Sequence, residues 1–170
     1  AIFAAGNEQH SYAHYPGAFV HIISVSAFAA NFMPAYYTNY GPGCNIAAPG
    51  GDMKLNYNYG GVLSTLCSET NNKNDYGYMQ GTSMACPHVS GVVALALSYA
   101  KQIGKKFTVN EFKQLILSST QDIDQRIANT TLEGYAKYYH QMGTGAIDAW
   151  RLMMNIDGVP SSTAGVGKKQ

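Results

Sequence analysis

Short apolar runs bounded by turn-forming residues predict four β-strands in the N-terminal half of the chain. The runs are Ile2 to Ala5, Val20 to Ala27, Asn45 to Ala48 and Val62 to Cys67. The first run is apolar and the second is rich in β-branched residues, a pattern typical of strands buried in a largely parallel sheet. The segment His10 to Gly17 between them predicts a loop.

Longer apolar segments in the C-terminal half predict three helices. From Ser83 to Ala100 nearly every side chain is small or apolar, which predicts a helix buried on most of its circumference. A second helix is predicted from Val109 to Ser118, because Thr108 and Glu111 have the spacing of a capping box at its start. A third is predicted from Ala146 to Asn155, after a glycine-rich turn.

The remaining polar segments predict loops and a tail. The Asn-rich stretch from Ser68 to Asp75 predicts an exposed loop, and residues 159–170 predict a flexible tail. Strands with intervening helices favour a single α/β domain at residues 1–158, because a parallel sheet needs helices on its faces. In such folds, ligands bind at the carboxyl ends of the strands.

Composition and charge exclude several kinds of partner. The chain has 170 residues, of which 46% are hydrophobic and 12% charged, enough apolar material for one folded domain. The formal net charge is +1, and the only adjacent lysines are Lys105-Lys106 and Lys168-Lys169, so nucleic acid is not an expected partner. The longest apolar stretch, Phe19 to Ala30, is too short for a membrane span, and none is expected.

The cysteines suggest neither a zinc site nor a disulfide framework. Cys44, Cys67 and Cys86 form no CxxC pair and allow at most one disulfide, which Cys44 and Cys67 could form in an exported protein. Thirteen tyrosines and few charges suit export, so a secreted or cell-envelope location is expected. Cys86 is interpreted as a small buried residue with an inert thiol.

The segment with the most chemical information is Gly81-Thr82-Ser83-Met84-Ala85-Cys86-Pro87-His88-Val89-Ser90-Gly91. Ser83 stands at the start of a hydrophobic helix, where free backbone N–H groups and the positive end of the helix dipole stabilise an adjacent oxyanion. That position suits a nucleophile. On spacing alone, an ordinary N-cap serine is the alternative.

This segment resembles the serine motif of the subtilisin-like serine proteases (subtilases), and further segments resemble the same family in the family's order. They are Ala4-Ala5-Gly6-Asn7, Tyr15-Pro16-Gly17, Tyr37-Thr38-Asn39-Tyr40-Gly41, Ala47-Ala48-Pro49-Gly50 and Gly143-Thr144-Gly145-Ala146-Ile147-Asp148-Ala149. The resemblance implies a three-layer α/β/α fold with a mostly parallel sheet. It also implies a serine endopeptidase that cleaves polypeptide substrates through an acyl-enzyme.

The resemblance assigns roles to individual residues. Ser83 matches the nucleophile, and Asn7 matches the side-chain donor of the oxyanion hole. The implied substrate-binding residues are Ala5, Gly6, Glu8, Gly81 and Thr82. Ala5-Gly6 resembles one wall of the main side-chain pocket, with room for a large apolar side chain, and Glu8 is expected near its far end, where it could accept a lysine.

Catalysis in such a family needs no metal or other cofactor, so no metal ligand is assigned. Structural calcium remains compatible with the sequence. Asp122 and Asp124 are carboxylate candidates for it, and a solvated loop is the alternative interpretation.

One part of the family's pattern is missing. The family's aspartate and histidine precede its serine in Asp-Thr/Ser-Gly and His-Gly-Thr-His contexts, which do not occur in this chain. His88, inside the serine motif, is interpreted as a packing or hydrogen-bonding residue and not as the base. The chain is therefore expected to be the C-terminal half of a catalytic domain. The upstream half or another chain is expected to cover the open sheet edge beside Ile2 to Ala5.

Two other functions fit parts of the pattern. A catalytically silent subtilase-like module that binds peptides or proteins would also lack the base. An α/β-hydrolase would need Gly-x-Ser-x-Gly around its nucleophile, but Ala85 occupies the position of the last glycine.

Overall fold

A computed structural model gives the fold of residues 1–68 and 73–158. Its strands are β1 (Ile2–Ala4), β2 (Ile23–Phe28), β3 (Ile46–Pro49), β4 (Val62–Ser68), β5 (Lys73–Met79), β6 (Thr120–Gln121) and β7 (Ala146–Ile147). The main sheet has the order β1-β2-β3-β7-β6, in which β1, β2, β3 and β7 are parallel and β6 pairs antiparallel with β7. Strands β4 and β5 form a separate antiparallel pair.

The helices are α1 (Met53–Asn56), α2 (Thr82–Gln102), α3 (Val109–Ser118), α4 (Asp124–Ala128) and α5 (Ala149–Asp157). Helix α2 packs across β1, β2 and β3, and α5 packs on α2 and α3, so the three longer helices cover one face of the sheet. The predicted capping box starts α3: the Glu111 carboxylate accepts the Thr108 N–H at 2.7 Å, and the Thr108 hydroxyl accepts the Glu111 N–H at 3.3 Å.

The central strands β2 and β3 of the main sheet are buried on both faces. Ile23, Val25 and Ala27 of β2 belong to the core beneath α2, whereas the intervening Ser26 donates from its hydroxyl to the Asn39 carbonyl. The second face is packed by loops and by the short α4, which contributes Ile127 to a smaller core cluster. The α/β class and the mostly parallel sheet are therefore confirmed, with the second helical layer reduced to short elements in the described residues.

Three predicted element boundaries are wrong. Strand β2 begins at Ile23, because residues 14–22 form hydrogen-bonded turns that leave Val20 85% exposed. Ala146 and Ile147 form β7, and the helix starts only after Asp148, whose carboxylate accepts the Arg151 N–H at 2.9 Å as an N-cap. The Asn-rich segment is not a loop throughout, because β5 starts at Lys73 and pairs with β4. The predicted tail at 159–170 lies outside the described residues.

Helix α2 is buried along one stripe and not around most of its circumference. Ala85, Val89 and Ala96 are fully buried against the sheet, whereas Leu95 is 57% and Leu97 is 50% exposed. Small side chains allow a close approach on every side, but the described residues cover the helix on one side only. By length and apolar composition α2 also meets the criteria for a membrane-spanning helix. The expectation that the chain has no membrane span therefore stays a prediction.

Strand β1 is one edge of the main sheet, and no described strand pairs with its outer side. Beside this edge lies an apolar groove, here called the edge groove, of about 500 Å³. Its lining includes Ile2, Val93, Leu97, Phe107 and Phe112. The expected open edge is thus present in the part of the chain that the structure describes.

Candidate active site

The residues assigned to catalysis meet where the parallel strands end and α2 begins. Asn7 follows β1, Gly50 follows β3, and Gly81 directly precedes α2. The Gly81 N–H donates to the Gly50 carbonyl at 3.0 Å, which fixes the start of the helix against the carboxyl end of the sheet. This edge is where ligands bind in open α/β sheets.

Thr82 holds the side chain of Asn7 in one orientation. The Thr82 N–H donates to Asn7 Oδ1 at 2.8 Å, and the Thr82 hydroxyl donates to the same oxygen at 2.9 Å. The hydroxyl oxygen in turn accepts the Gly6 N–H at 3.2 Å. Because a backbone N–H needs an acceptor, the amide oxygen and not the amide nitrogen of Asn7 must face Thr82. Nδ2 of Asn7 is left as a donor with no acceptor in the described residues.

Ser83 is exposed in the first turn of α2. Its backbone N–H has no acceptor in the described part of the chain, as expected for a group in the first turn of a helix. Gly81, which caps the helix, has a φ of 150° that side chains rarely adopt, and a Cβ there would lie 3.6 Å from Asn7 Nδ2. The start of α2 therefore carries two donors without an acceptor in the described residues, the Ser83 N–H and, next to Gly81, Asn7 Nδ2.

Asn39 organises the loop that carries Asn7. Its side chain is fully buried, and its Oδ1 accepts the Glu8 N–H at 3.1 Å and the His10 N–H at 3.0 Å. Its Nδ2 donates to the Ala5 carbonyl at 3.0 Å. Gly6 has a φ of 114°, and a Cβ on it would collide with the Asn39 amide. No sequence signal marked Asn39 for this role, because asparagines are common in turns.

The predicted substrate-binding residues differ in their burial and in their hydrogen bonds. Gly6 and Thr82 are hydrogen-bonded to each other beside Asn7. The Ala5 side chain is fully buried in a small cluster with Ala13 and Cys44, and its backbone N–H and carbonyl are hydrogen-bonded within the protein. The Glu8 carboxylate accepts the Asn7 N–H at 2.7 Å. The substrate-binding role of these residues stays a prediction.

Tyr37 stabilises the turn at Gly50, whose carbonyl accepts the Gly81 N–H. Its hydroxyl donates to the Gly50 carbonyl at 2.8 Å and lies 2.6 Å from the Gly51 carbonyl. Burial raises the pKa of Tyr37 far above its ordinary value, so the hydroxyl keeps the proton that it donates. The buried Asp52 also holds the neighbouring backbone in place, because its carboxylate accepts the Tyr36 N–H at 3.1 Å.

No histidine or carboxylate hydrogen-bonds to the Ser83 hydroxyl in the described residues. His88 is engaged elsewhere, because its Nδ1 lies 2.8 Å from the Met84 carbonyl, which confirms its interpretation as a hydrogen-bonding residue. Cys86 is only partly buried, and not buried as predicted, although this burial raises the pKa of its thiol. Cys44, Cys67 and Cys86 are all free thiols.

The carboxylates considered for calcium have partners within the protein. Asp124 accepts from His140, whose backbone N–H lies 2.9 Å and whose Nδ1 lies 2.7 Å from its two oxygens. Asp122 accepts the Asp124 N–H at 2.7 Å. Structural calcium at these residues stays a prediction.

Several known proteins with similar sequences are proteases. A model of the Subtilase family matches residues 1–145. An extracellular basic protease of Dichelobacter nodosus is 32% identical over 149 residues, which are 87% of this chain and 22% of that protein. The major intracellular serine protease of Bacillus subtilis is 34% identical over 113 residues, which are 65% of this chain and 31% of that protein.

A solved structure shares the fold. A protease from Pseudoalteromonas arctica superposes with a TM-score of 0.72 and 33% sequence identity, and the match covers 90% of this chain and 41% of that one. The chain thus spans well under half the length of these relatives. Since the family model covers most of its residues, this chain belongs to the Subtilase family of serine proteases.

Proposed function

We propose that this chain supplies the nucleophile and the oxyanion hole of a serine endopeptidase. The proposal rests on the orientation of Asn7: Thr82 occupies Oδ1 with two hydrogen bonds, which leaves Nδ2 free next to Gly81, two residues before the exposed Ser83. Preorganised donors of this kind stabilise negative charge that develops only in the transition state. The membership in a protease family supports the same assignment.

In the proposed reaction, Ser83 Oγ bonds to the carbonyl carbon of the scissile peptide. The carbonyl oxygen becomes negative and accepts from Asn7 Nδ2 and the Ser83 N–H. Collapse of this intermediate breaks the C–N bond and leaves an acyl group on Ser83, and water then attacks the ester to release the acid and restore the hydroxyl.

A base must take the Ser83 proton and return it to the leaving amine. No described residue is placed to do so. We therefore assign the base and its orienting carboxylate to a part of the catalytic domain that this chain does not contain. The match to only 41% of the Pseudoalteromonas arctica protease supports this division. The same missing part is proposed to cover the edge groove and the exposed face of α2, because apolar surface of that extent is normally buried by a partner.

The proposed location is outside the cytoplasm or in the cell envelope. Several similar proteins are named extracellular proteases, which supports export. The similarity to an intracellular protease of Bacillus subtilis is the opposing observation. Fractionation of the native host, followed by detection of Ser83-containing peptides in the medium and in the cells, distinguishes the two locations.

Asn7→Ala in the full-length peptidase is expected to lower kcat by ~10²–10³ with little change in KM, because the lost donor acts mainly on the transition state. That magnitude comes from the corresponding asparagine of subtilisin, a member of the same family. Asn129→Ala is the matched control, since Asn129 is an exposed asparagine at the end of α4 and is not hydrogen-bonded to Asn7 in the described residues. Steady-state kinetics on a chromogenic peptide measure both variants. Equal kcat values for Asn7→Ala and Asn129→Ala would remove Asn7 from the oxyanion hole.

The alternative function is a catalytically silent module that binds peptides or proteins. The absence of a base among the described residues favours it, whereas the intact pair of Ser83 and Asn7 favours the peptidase. Binding of a peptide by the full-length protein without any cleavage, unchanged by Ser83→Ala, is the result that would establish the silent module.

Glu8→Gln tests the predicted specificity for the residue before the cleaved bond. The Glu8 side chain is 50% exposed and carries the negative charge nearest to Asn7, so it is expected to favour lysine there. In the full-length enzyme, the substitution should lower kcat/KM for a lysine substrate more than for a phenylalanine substrate. Equal losses for the two substrates would show that Glu8 does not line the pocket.

A further inference from the structure

We propose that Glu8, His10 and His14 form a binding site for a transition-metal cation of the zinc class, on the loop that follows Asn7. One potential ligand atom from each side chain lies within 4.8 Å of the other two. The site shares Glu8 with the proposed substrate pocket, but cation binding by these side chains does not depend on the proposed peptidase chemistry.

The geometry of the two imidazoles fits a shared cation. His10 Nδ1 and His14 Nε2 lie 2.9 Å apart, and Nδ1 of His14 lies 3.3 Å from Glu8 Oε2. When the Glu8 carboxylate accepts the Nδ1 proton of His14, the lone pair of that ring is on Nε2 and faces His10. A cation between the two nitrogens replaces the proton that they share. Zn–N bonds of ~2.0–2.1 Å in a tetrahedron require an N···N separation of ~3.3–3.4 Å. The two ring nitrogens therefore need to move apart only slightly to bind the cation.

The backbone at both histidines is already fixed. The His10 N–H donates to Asn39 Oδ1 at 3.0 Å, and its carbonyl accepts the Tyr40 N–H at 3.0 Å. The His14 N–H donates to the Ala5 carbonyl at 2.8 Å, and its carbonyl accepts the Ala18 N–H at 3.0 Å. A metal therefore needs only side-chain adjustments, and not the ordering of a free loop, which reduces the entropic penalty of binding.

The donor set selects the class of metal. Imidazole nitrogens suit zinc, copper and nickel, whereas calcium and magnesium prefer sites made of oxygen donors. Glu8 supplies a third ligand if its carboxylate turns to the cation, or orients His14 from behind if it stays on Nδ1. The side chains of Glu8 and His14 are 50% and 36% exposed, so water can complete the coordination.

Titration of the purified protein with Co²⁺, followed by its visible absorption and then by competition with Zn²⁺, tests the site directly. One cation per chain is expected, with tetrahedral Co²⁺ bands that Zn²⁺ abolishes. His10→Ala and His14→Ala should each weaken binding at least ~10-fold, and Glu8→Gln by ~10–100-fold. His21→Ala, an exposed histidine away from the cluster, should bind like the parent protein.

Thermal unfolding gives a second readout that does not require peptidase activity. Zn²⁺ should raise the Tm of the parent protein and of His21→Ala, because a cation that binds the folded state stabilises it. It should not raise the Tm of the His10→Ala/His14→Ala double variant. Equal Co²⁺ affinity in the parent and the histidine variants, or a Zn²⁺ effect on Tm that survives in the double variant, would overturn the proposal. A peptidase that fails to bind metal would leave the proposed function intact.

Discussion

Ser83→Ala in the full-length peptidase is expected to lower kcat about 10⁶-fold, to the level that the oxyanion hole and substrate binding sustain without a nucleophile. The figure is the one measured when subtilisin loses its serine. The effect is this large because the acyl-enzyme cannot form, whereas the free donors at Asn7 Nδ2 and the residue 83 N–H remain. Binding should change little, because the exposed hydroxyl has no hydrogen-bond partner among the described residues.

The measurement is steady-state turnover of a chromogenic peptide, with an equilibrium binding assay beside it. Ser98→Ala is the matched control, because Ser98 is an exposed serine of the same helix. Its turnover should equal that of the parent protein. A Ser83→Ala variant that retains more than a hundredth of the parent turnover would exclude Ser83 as the nucleophile.

The isolated 170-residue chain is expected to show the second large effect, a turnover about 10⁶-fold below that of the full-length enzyme. In subtilisin, the source of this figure, loss of the histidine alone reduces kcat about as much as loss of the whole triad. Ser83 in the isolated chain has no base in the described residues, so its hydroxyl stays a weak nucleophile.

The comparison requires matched protein concentrations and a circular dichroism spectrum that shows the isolated chain to be folded. Addition of the remaining part of the catalytic domain should restore turnover if the two parts associate through the edge groove. Turnover of the isolated chain near that of the full-length enzyme, lost in Ser83→Ala, would show that this chain contains a base after all.

Local sequence patterns predicted the elements that local interactions determine. The capping box joins Thr108 and Glu111, which are three positions apart, and it forms as this spacing predicts. The apolar run that forms β2 was predicted, but its start was placed at Val20 and not at Ile23, because a β-branched residue in a turn has the same local pattern as one in a strand. The residues of β5 from Lys73 pair with the preceding strand β4, and the Asn-rich composition of this segment gave no sign of that pairing.

The site shows the same division between local and distant contacts. Ser83 and Asn7 were predicted from motifs that resemble a known family. The clamp between Asn7 and Thr82 joins residues 75 positions apart, and the contact between Asn39 and Glu8 joins residues 31 apart, so no local pattern indicated either. The spacing of His10 and His14 was visible in the sequence, but only the fold shows that their ring nitrogens meet.

Covalent labelling by a fluorophosphonate tests the proposed chemistry most directly, because this reagent reacts with a serine only when a base and an oxyanion hole activate it. In the full-length protein, mass spectrometry of a proteolytic digest should find the label on the peptide that contains Ser83, at one label per chain. Asn7→Ala should slow the labelling, and Ser83→Ala should abolish it. Labelling that persists at the same rate in Ser83→Ala, or a full-length protein that takes up no label, would contradict the assignment of Ser83 as the activated nucleophile.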